Sequence, residues 1–422
     1  MSTPWSNWSG SVSAQPSERY APKTEAELAT IVARAKKLRV AGAGHSFTPL
    51  CETDGVLLQL GELEGKLEIA PDRKTAWVPA GYRLHALTPW LWEQGCSLPN
   101  QGDIDRQALA GAIATGTHGT GAELGSLSTW ARAFRVMLAD GNVVECSAAE
   151  RGDLFEAMRL SLGLIGIALR IQIDVLPRYR LEENIRAMRW AELNERFAEL
   201  AAQHRHVEFW AFPYSERVIL KTLDLSDDPR PYKEPAAFDE KAFKLACDLT
   251  AARPTWTRTV QRVLMALVLP SRRFGEAHRI FPSQRNVRFE EMEYELPRTA
   301  GLPVLREAID WVRRQQLPLA FPFEFRWSAG DDIWLSPFNR GPSASVSIHQ
   351  YTKLRWQEPF AAAEPIFRGA GGRPHWAKRH TLSARDVFEL YPAAARFCKV
   401  RAQVDPGAKL ANAHLSALFD LD

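Results

Sequence analysis

Twelve residues, Ala110–Gly121, hold four glycines, three threonines and His118. Such a run has too little volume to fill a core and is too apolar to be a flexible linker. It suits backbone laid against a flat or extended ligand. A shorter stretch of the same kind lies upstream: Val40, Ala41, Gly42, Ala43, Gly44, His45, Ser46 and Phe47. The strand-like Leu38–Val40 enters it, and small side chains then let main-chain N–H groups approach an anion. A nicotinamide fingerprint would need a third glycine at position 47, where Phe47 stands, so that dinucleotide reading fails. Alone, Gly-x-Gly-His is equally a tight strand-exit turn beside a surface histidine.

The 422 residues suffice for two domains, each with its own core. Net charge is +3 and no basic run is interleaved with aromatics, which argues against a nucleic-acid partner. The five cysteines are odd in number, scattered and free of Cys-x-x-Cys, as in a reduced cytoplasmic protein. The apolar run near Val263–Leu269 is far short of the roughly 18 residues of a spanning helix, so no integral membrane segment is expected. It belongs to a basic amphipathic segment, Arg258–Arg273, read as a core-facing helix, with membrane-surface contact as the alternative.

Along the chain, Thr24–Glu27 forms a capping box ahead of an apolar helical face of Leu28, Ile31, Val32 and Ala35. Asp140-Gly141 marks a hairpin between Ala133–Leu138 and Asn142–Cys146. The character changes near Pro177, which sets the boundary between domains 1–177 and 178–422. Beyond it, Glu291 to Pro297 alternates charged and apolar side chains, as a half-buried strand does. In Phe321–Trp327 a period of two puts Phe321, Phe323, Phe325 and Trp327 on one face and Pro322, Glu324 and Arg326 on the other. Glu324 and Arg326 then project side by side, roughly 7 Å apart. In Ser343–Tyr351, Ser345, Ser347, His349 and Tyr351 share a face. Together these strands make either a polar wall suited to a polyhydroxylated ligand or a merely solvated sheet face. His204/His206 and His375/His380 lack ligand partners at useful spacing, so no metal is expected.

The two glycine stretches resemble the FAD-binding (PCMH-type) domain of the vanillyl-alcohol-oxidase-type flavoproteins, in the sugar-1,4-lactone oxidase and alditol oxidase branch. Gly330–Pro337, Gly371–Lys378, Phe397-Cys398 and Asp405-Pro406 through Asn412 extend the similarity to the C-terminus, and it is weakest from Tyr179 to Phe289. The resemblance implies an α+β fold of two domains: an FAD-binding domain, and a substrate or cap domain with a large antiparallel sheet, whose segment from about 370 to 422 returns to the flavin. It implies FAD attached covalently through His45 and held by Val40 to Ser46, Gly102, Asp103, Ala108, Gly111, Thr115, Gly116, Thr117, His118 and Ile167. The family's substrate-side Glu-x-Arg falls on Glu324 and Arg326, and its lysine after His-Trp on Lys378. His349 stands where alditol oxidases carry threonine, which leans the substrate away from open-chain alditols; Asp103 stands where they carry a serine near the flavin, which implies a position against the substrate. Gly102 falls on a position that governs oxygen access, where glycine resembles the oxidases.

The implied reaction is oxidation of a sugar 1,4-lactone hydroxyl, with oxygen as acceptor and hydrogen peroxide as product. His349 or Glu324 would take the proton. The rivals are an alditol or aldose oxidase, a lactone dehydrogenase with another acceptor, and a non-catalytic sugar-binding protein using its 14 Trp as stacking platforms.

Overall fold

The computed structural model describes residues 3–234, 237–283 and 286–421. Thr24 caps the helix Glu25–Arg34 by accepting from Glu27 N at 3.1 Å. Leu28, Ile31 and Val32 turn that helix onto a three-stranded parallel sheet ordered Glu18–Tyr20, Val56–Leu58, Leu38–Val40. The first glycine loop leaves the end of the edge strand Leu38–Val40. Buried Arg39 fixes the loop's base: Nε donates to Leu50 O at 2.8 Å and Nη2 to Leu162 O at 2.7 Å. A five-stranded antiparallel sheet follows, ordered Val143–Ser147, Ala131–Met137, Ile167–Asp174, Thr75–Pro79, Glu68–Ile69. Its first two strands are the hairpin expected around Asp140-Gly141, with Gly141 at φ 90°.

From Arg180 onwards the chain builds one eight-stranded antiparallel sheet. Its order is Ser271–Glu276, Arg180–Arg189, Arg217–Leu225, His206–Ala211, Phe323–Ser328, Ser343–Tyr351, Phe289–Pro297, Arg373–Pro374. Met292, Tyr294, Leu296, Phe323, Phe325, Ala344, Val346 and Ile348 point to one side. There they pack against the helices Trp190–Gln203, Gly301–Arg314 and Gln357–Gly369. The opposite face is charged. After Pro374 the chain goes back to the first half: Val387, Phe397, Val400, Leu415 and Phe419 share a core with Leu84, Phe134 and Ile171.

The second glycine stretch straps the halves together. Gly121 N donates to Trp327 O at 3.0 Å, and Thr120 Oγ1 to Val207 O at 2.6 Å. A Cβ on Gly119 would fall 2.0 Å from Gln101 O, so only glycine lets these two backbones meet.

Three expectations need correction. Phe289–Pro297 is not half-buried, because Glu291, Glu293 and Glu295 are as enclosed as the apolar residues between them. Phe321 does not share a face with Phe323. Pro322 cannot donate to the ladder, the strand begins at Phe323, and Phe321 packs instead with Phe289 and Tyr351. The helix Thr257–Ala266 turns Thr257, Gln261 and Met265 inward and leaves Val263 exposed, with Leu267 and Leu269 exposed just beyond it, so the core-facing reading fails there.

Candidate active site

The amides of Ala43, Gly44, His45 and Ser46 find no acceptor within the described chain. They border a cavity of about 320 Å³. Val40, Ala41, Gly42, Ala108, Gly111, Thr115 and Ile167 line it as well. A Cβ on Gly111 would meet nothing within 4 Å. Free amides, small side chains and elongated walls fit the pyrophosphate and ribityl parts of FAD.

A second pocket adjoins this one. Gly102, Asp103, Thr117, His118, Glu324, Arg326, His349 and Lys378 line it, together with Glu291, Glu293 and His375. His45 and Ala377 belong to the walls of both cavities. Phe47 N donates to Ala377 O at 2.7 Å and Thr48 Oγ1 to Trp376 O at 2.8 Å, which pins Lys378 beside the first glycine loop. Of the residues expected to hold FAD, Gly116 lines neither cavity, and Gly102, Asp103, Thr117 and His118 line the second one only.

Burial, then Lys378 and Arg83, depress the His45 imidazole to about 4, so it is a neutral nitrogen base at pH 7.

The charged face of the large sheet forms the far wall. Its rows come from cross-strand pairing: Glu291 opposite His349, Glu293 opposite Ser347, Glu324 opposite Ser347, and Arg326 opposite Ser345. Glu293 is its hub, accepting from Arg326 Nη2 at 3.0 Å and standing 3.2 Å from His118 Nε2. Burial would raise the Glu293 carboxyl, but Arg326 and His118 hold it well below the usual carboxylate range. Glu291 bonds Lys378, and burial notwithstanding, Lys378 and then His349 bring its carboxyl down to about 2. Glu295 is pushed the other way, up to about 7, mainly by burial. Burial opposes charge on His118, yet Glu295 and Glu293 raise its pKa. Glu208, Lys221 and Asp103 continue the wall: Lys221 Nζ lies 2.8 Å from Glu208 Oε1 and 3.8 Å from Asp103 Oδ1.

His349 Nδ1 lies 3.2 Å from Pro322 O. A carbonyl oxygen only accepts, so that contact places a proton on Nδ1, and Nε2 faces Glu291 Oε1 at 3.3 Å and Glu324 Oε2 at 3.8 Å. Arg326 Nε and Glu324 Oε1 lie 3.5 Å apart as an enclosed ion pair, and both residues line the pocket. A carboxylate and a guanidinium on one wall suit a polyhydroxylated ligand.

Sequence reasoning missed Glu291, Glu293, Glu295, Glu208, Lys221 and His375. His118, Glu293 and His375 bring ligand atoms within 4.8 Å of one another, which corrects the expectation that His375 lacks such neighbours. Glu293 is already taken by His118 and Arg326, and the nearby Lys378 repels a cation, so the trio reads as an ion-pair cluster.

An amide-lined cofactor cavity opening on a buried charged pocket, in this two-part fold, defines an FAD-binding oxidoreductase of the vanillyl-alcohol-oxidase type. The fold matches a solvent-stable cholesterol oxidase with a TM-score of 0.85 at 17% identity, over 99% of this chain and 97% of that one. It matches the Brevibacterium sterolicum cholesterol oxidase at 0.84 and 15%, over 99% and 96%. Residues 16–147 match the FAD binding domain family, and residues 171–418 match the D-arabinono-1,4-lactone oxidase family. The chain belongs to that second family. It is 36% identical to an L-gulono-1,4-lactone dehydrogenase of Mycobacterium tuberculosis over 96% of both chains. It is 29% identical to the L-gulonolactone oxidase of Mus musculus, over 98% of this chain and 97% of that one. An alditol oxidase of Streptomyces sp. is 29% identical over 100% of both. Among the described residues, no helix is long and apolar enough to cross a membrane.

Proposed function

We propose that this protein oxidises a secondary hydroxyl of a sugar 1,4-lactone of the L-gulono- or D-arabinono- type, with FAD joined to His45 and oxygen as the final acceptor. The observation that carries this reading is that His45 is common to both cavities. A ring attached there would present its reactive edge to the charged wall. Its neutral imidazole has the free lone pair that forming such a bond requires. When bound, FAD supplies the acceptor for the hydride lost from the carbinol carbon, and oxygen restores it with release of hydrogen peroxide.

The chain's own residues do the rest. The Glu324 carboxylate accepts from a substrate hydroxyl and the Arg326 guanidinium donates to a ring or carbonyl oxygen, which fixes the carbinol carbon. His349 Nε2 takes the hydroxyl proton, and Glu291 and Glu324 stabilise the imidazolium so formed. Of the two acceptors left open by the sequence, this geometry favours the histidine, because Pro322 O fixes its tautomer. Loss of one hydride and one proton leaves a ketone, which at C2 of a lactone enolises. Arg326 and Lys378 add positive charge around the reacting group. Asp103, held near Lys221, borders the substrate. Gly102 lies on the pocket wall, and a Cβ there would come 3.1 Å from His118 O, narrowing the approach that oxygen would use.

Steady-state rates with L-gulono-1,4-lactone, D-arabinono-1,4-lactone and xylitol test this reading, with dissolved oxygen and peroxide followed together. The expected result is higher kcat/KM for a lactone and one peroxide per oxygen consumed. Faster xylitol turnover would instead favour the alditol oxidase. Turnover only with an artificial dye would favour a dehydrogenase.

A further inference from the structure

The helix Thr257–Ala266 presents an inverted surface. Gln261 seats it: its Nε2 donates to Leu319 O at 2.7 Å and its Oε1 accepts from Tyr214 N at 3.0 Å. The orientation is therefore fixed by buried hydrogen bonds. Outward stand Trp256 at 54% exposure, Val263 at 54%, Leu267 at 65% and Leu269 at 77%. Leu245 and Leu249 are exposed on the helix Ala237–Ala252 packed against it. Exposed apolar side chains this concentrated mark an interaction surface.

The charge around them is mainly positive. Residues 241–273 carry seven Lys or Arg against one Asp; Lys244 pairs with Asp248, Arg272 with Glu182 and Arg273 with Glu183, which leaves Lys241, Arg253, Arg258 and Arg262 without an ion pair among the described residues. At 100° per residue, Arg258 and Arg262 lie on one flank of the helix, and Val263 and Leu267 on the other. The arginine flank borders a cavity of about 600 Å³, together with Arg217 and Arg313. Arg313 is paired with Glu216 at 2.8 Å. The side chains of Arg217, Arg258 and Arg262 have neither an ion pair nor a hydrogen-bond partner among the described residues.

We propose that this face docks on an anionic phospholipid surface. Trp256, Val263, Leu267 and Leu269 enter the boundary between headgroups and acyl chains. Arg258 and Arg262 meet lipid phosphates, and their cleft with Arg217 seats one headgroup. The charge pattern selects this occupant. An isologous contact with a second copy would oppose arginine to arginine, whereas an anionic leaflet complements both flanks at once. The active-site residues line other cavities, so docking leaves the pocket free for substrate.

The test is co-sedimentation of the full-length, FAD-loaded protein with phosphatidylcholine vesicles, with and without phosphatidylserine. The protein should pellet with the phosphatidylserine vesicles and be released by added salt. Replacing Arg258 and Arg262 together by Gln should lower the partition coefficient about 25-fold, at roughly fivefold per charge. The Trp256→Ser, Leu269→Ser double variant should also lower it with the charges intact. Lactone turnover in solution should be unchanged in both variants, which shows that they are folded. The proposal is overturned if the wild type stays in the supernatant, or if both variants pellet as it does. It is also overturned if inorganic phosphate alone abolishes binding at constant ionic strength, which would indicate a free-anion site. Light scattering showing a dimer that either double variant dissociates would equally overturn it, in favour of a second copy.

Discussion

Replacing Glu293 by Gln tests whether the charged wall is held together as described. The carboxylate is 1% exposed and lies 3.0 Å from Arg326 Nη2 and 3.2 Å from His118 Nε2. At an effective dielectric of about 20, each contact is worth about 5 kcal/mol of attraction. Desolvating the three groups offsets much of that sum. What the variant exposes is the cost of leaving two buried cations short of a counter-charge, about 3–5 kcal/mol. Guanidinium unfolding of the FAD-loaded protein should show that loss as a lower midpoint at constant slope. His118 should also lose part of the support for its proton, because Glu295 alone would remain opposite it. An NMR titration of its ring should show a lower pKa than in the wild type. Replacing Glu389, whose ion pair with Arg385 is exposed, should leave the midpoint in place. A Glu293→Gln loss below about 1 kcal/mol, with His118 titrating as before, would refute the hub.

His349→Gln should lower kcat on the order of 10²–10⁴-fold with little change in KM. An unchanged kcat would return the proton to Glu324. Lys378→Met removes the chief cation that keeps Glu291 ionised, so activity should fall at a higher pH on the acid side than in the wild type. His206 is buried neutral, its pKa depressed to about 3 mainly by burial. Its contribution to stability is complete above about pH 6.5 and is lost as pH falls towards 3, at about 1.4 kcal/mol per unit. Thermal melts of His206→Gln should therefore fall less steeply than wild type between those limits.

The two glycine stretches were legible because few other uses exist for so many small residues in sequence, and the hairpin at Asp140-Gly141 because its turn demands a positive φ. Glu324, Arg326 and His349 could be placed on strand faces by a period of two. The acidic strand was misjudged for a physical reason. Glu291, Glu293 and Glu295 alternate with apolar residues in the same way whether their face meets water or buried cations. What decides between those outcomes is Arg326, His118 and Lys378, which come from three distant segments. Lys221 and Glu208 were hidden in the same way, each in a strand whose apolar neighbours drew the attention. Phe321 went astray by the rule that placed Phe323, because Pro322 delays the start of the ladder. The surface arginines of Thr257–Ala266 have the spacing of an amphipathic helix, and spacing does not say which face turns inward. Gln261, bonded at both ends of its amide, does.

The central claim is that FAD is tethered at His45, between the amide-lined cavity and the carboxylate wall. Acid precipitation of purified protein, followed by mass analysis of the His45 peptide, tests it most directly. The expected result is yellow colour in the pellet and a flavin-bearing His45 peptide, with His45→Ala releasing its flavin into the supernatant. Flavin released from the wild type, or retained in the pellet by His45→Ala, would contradict the account.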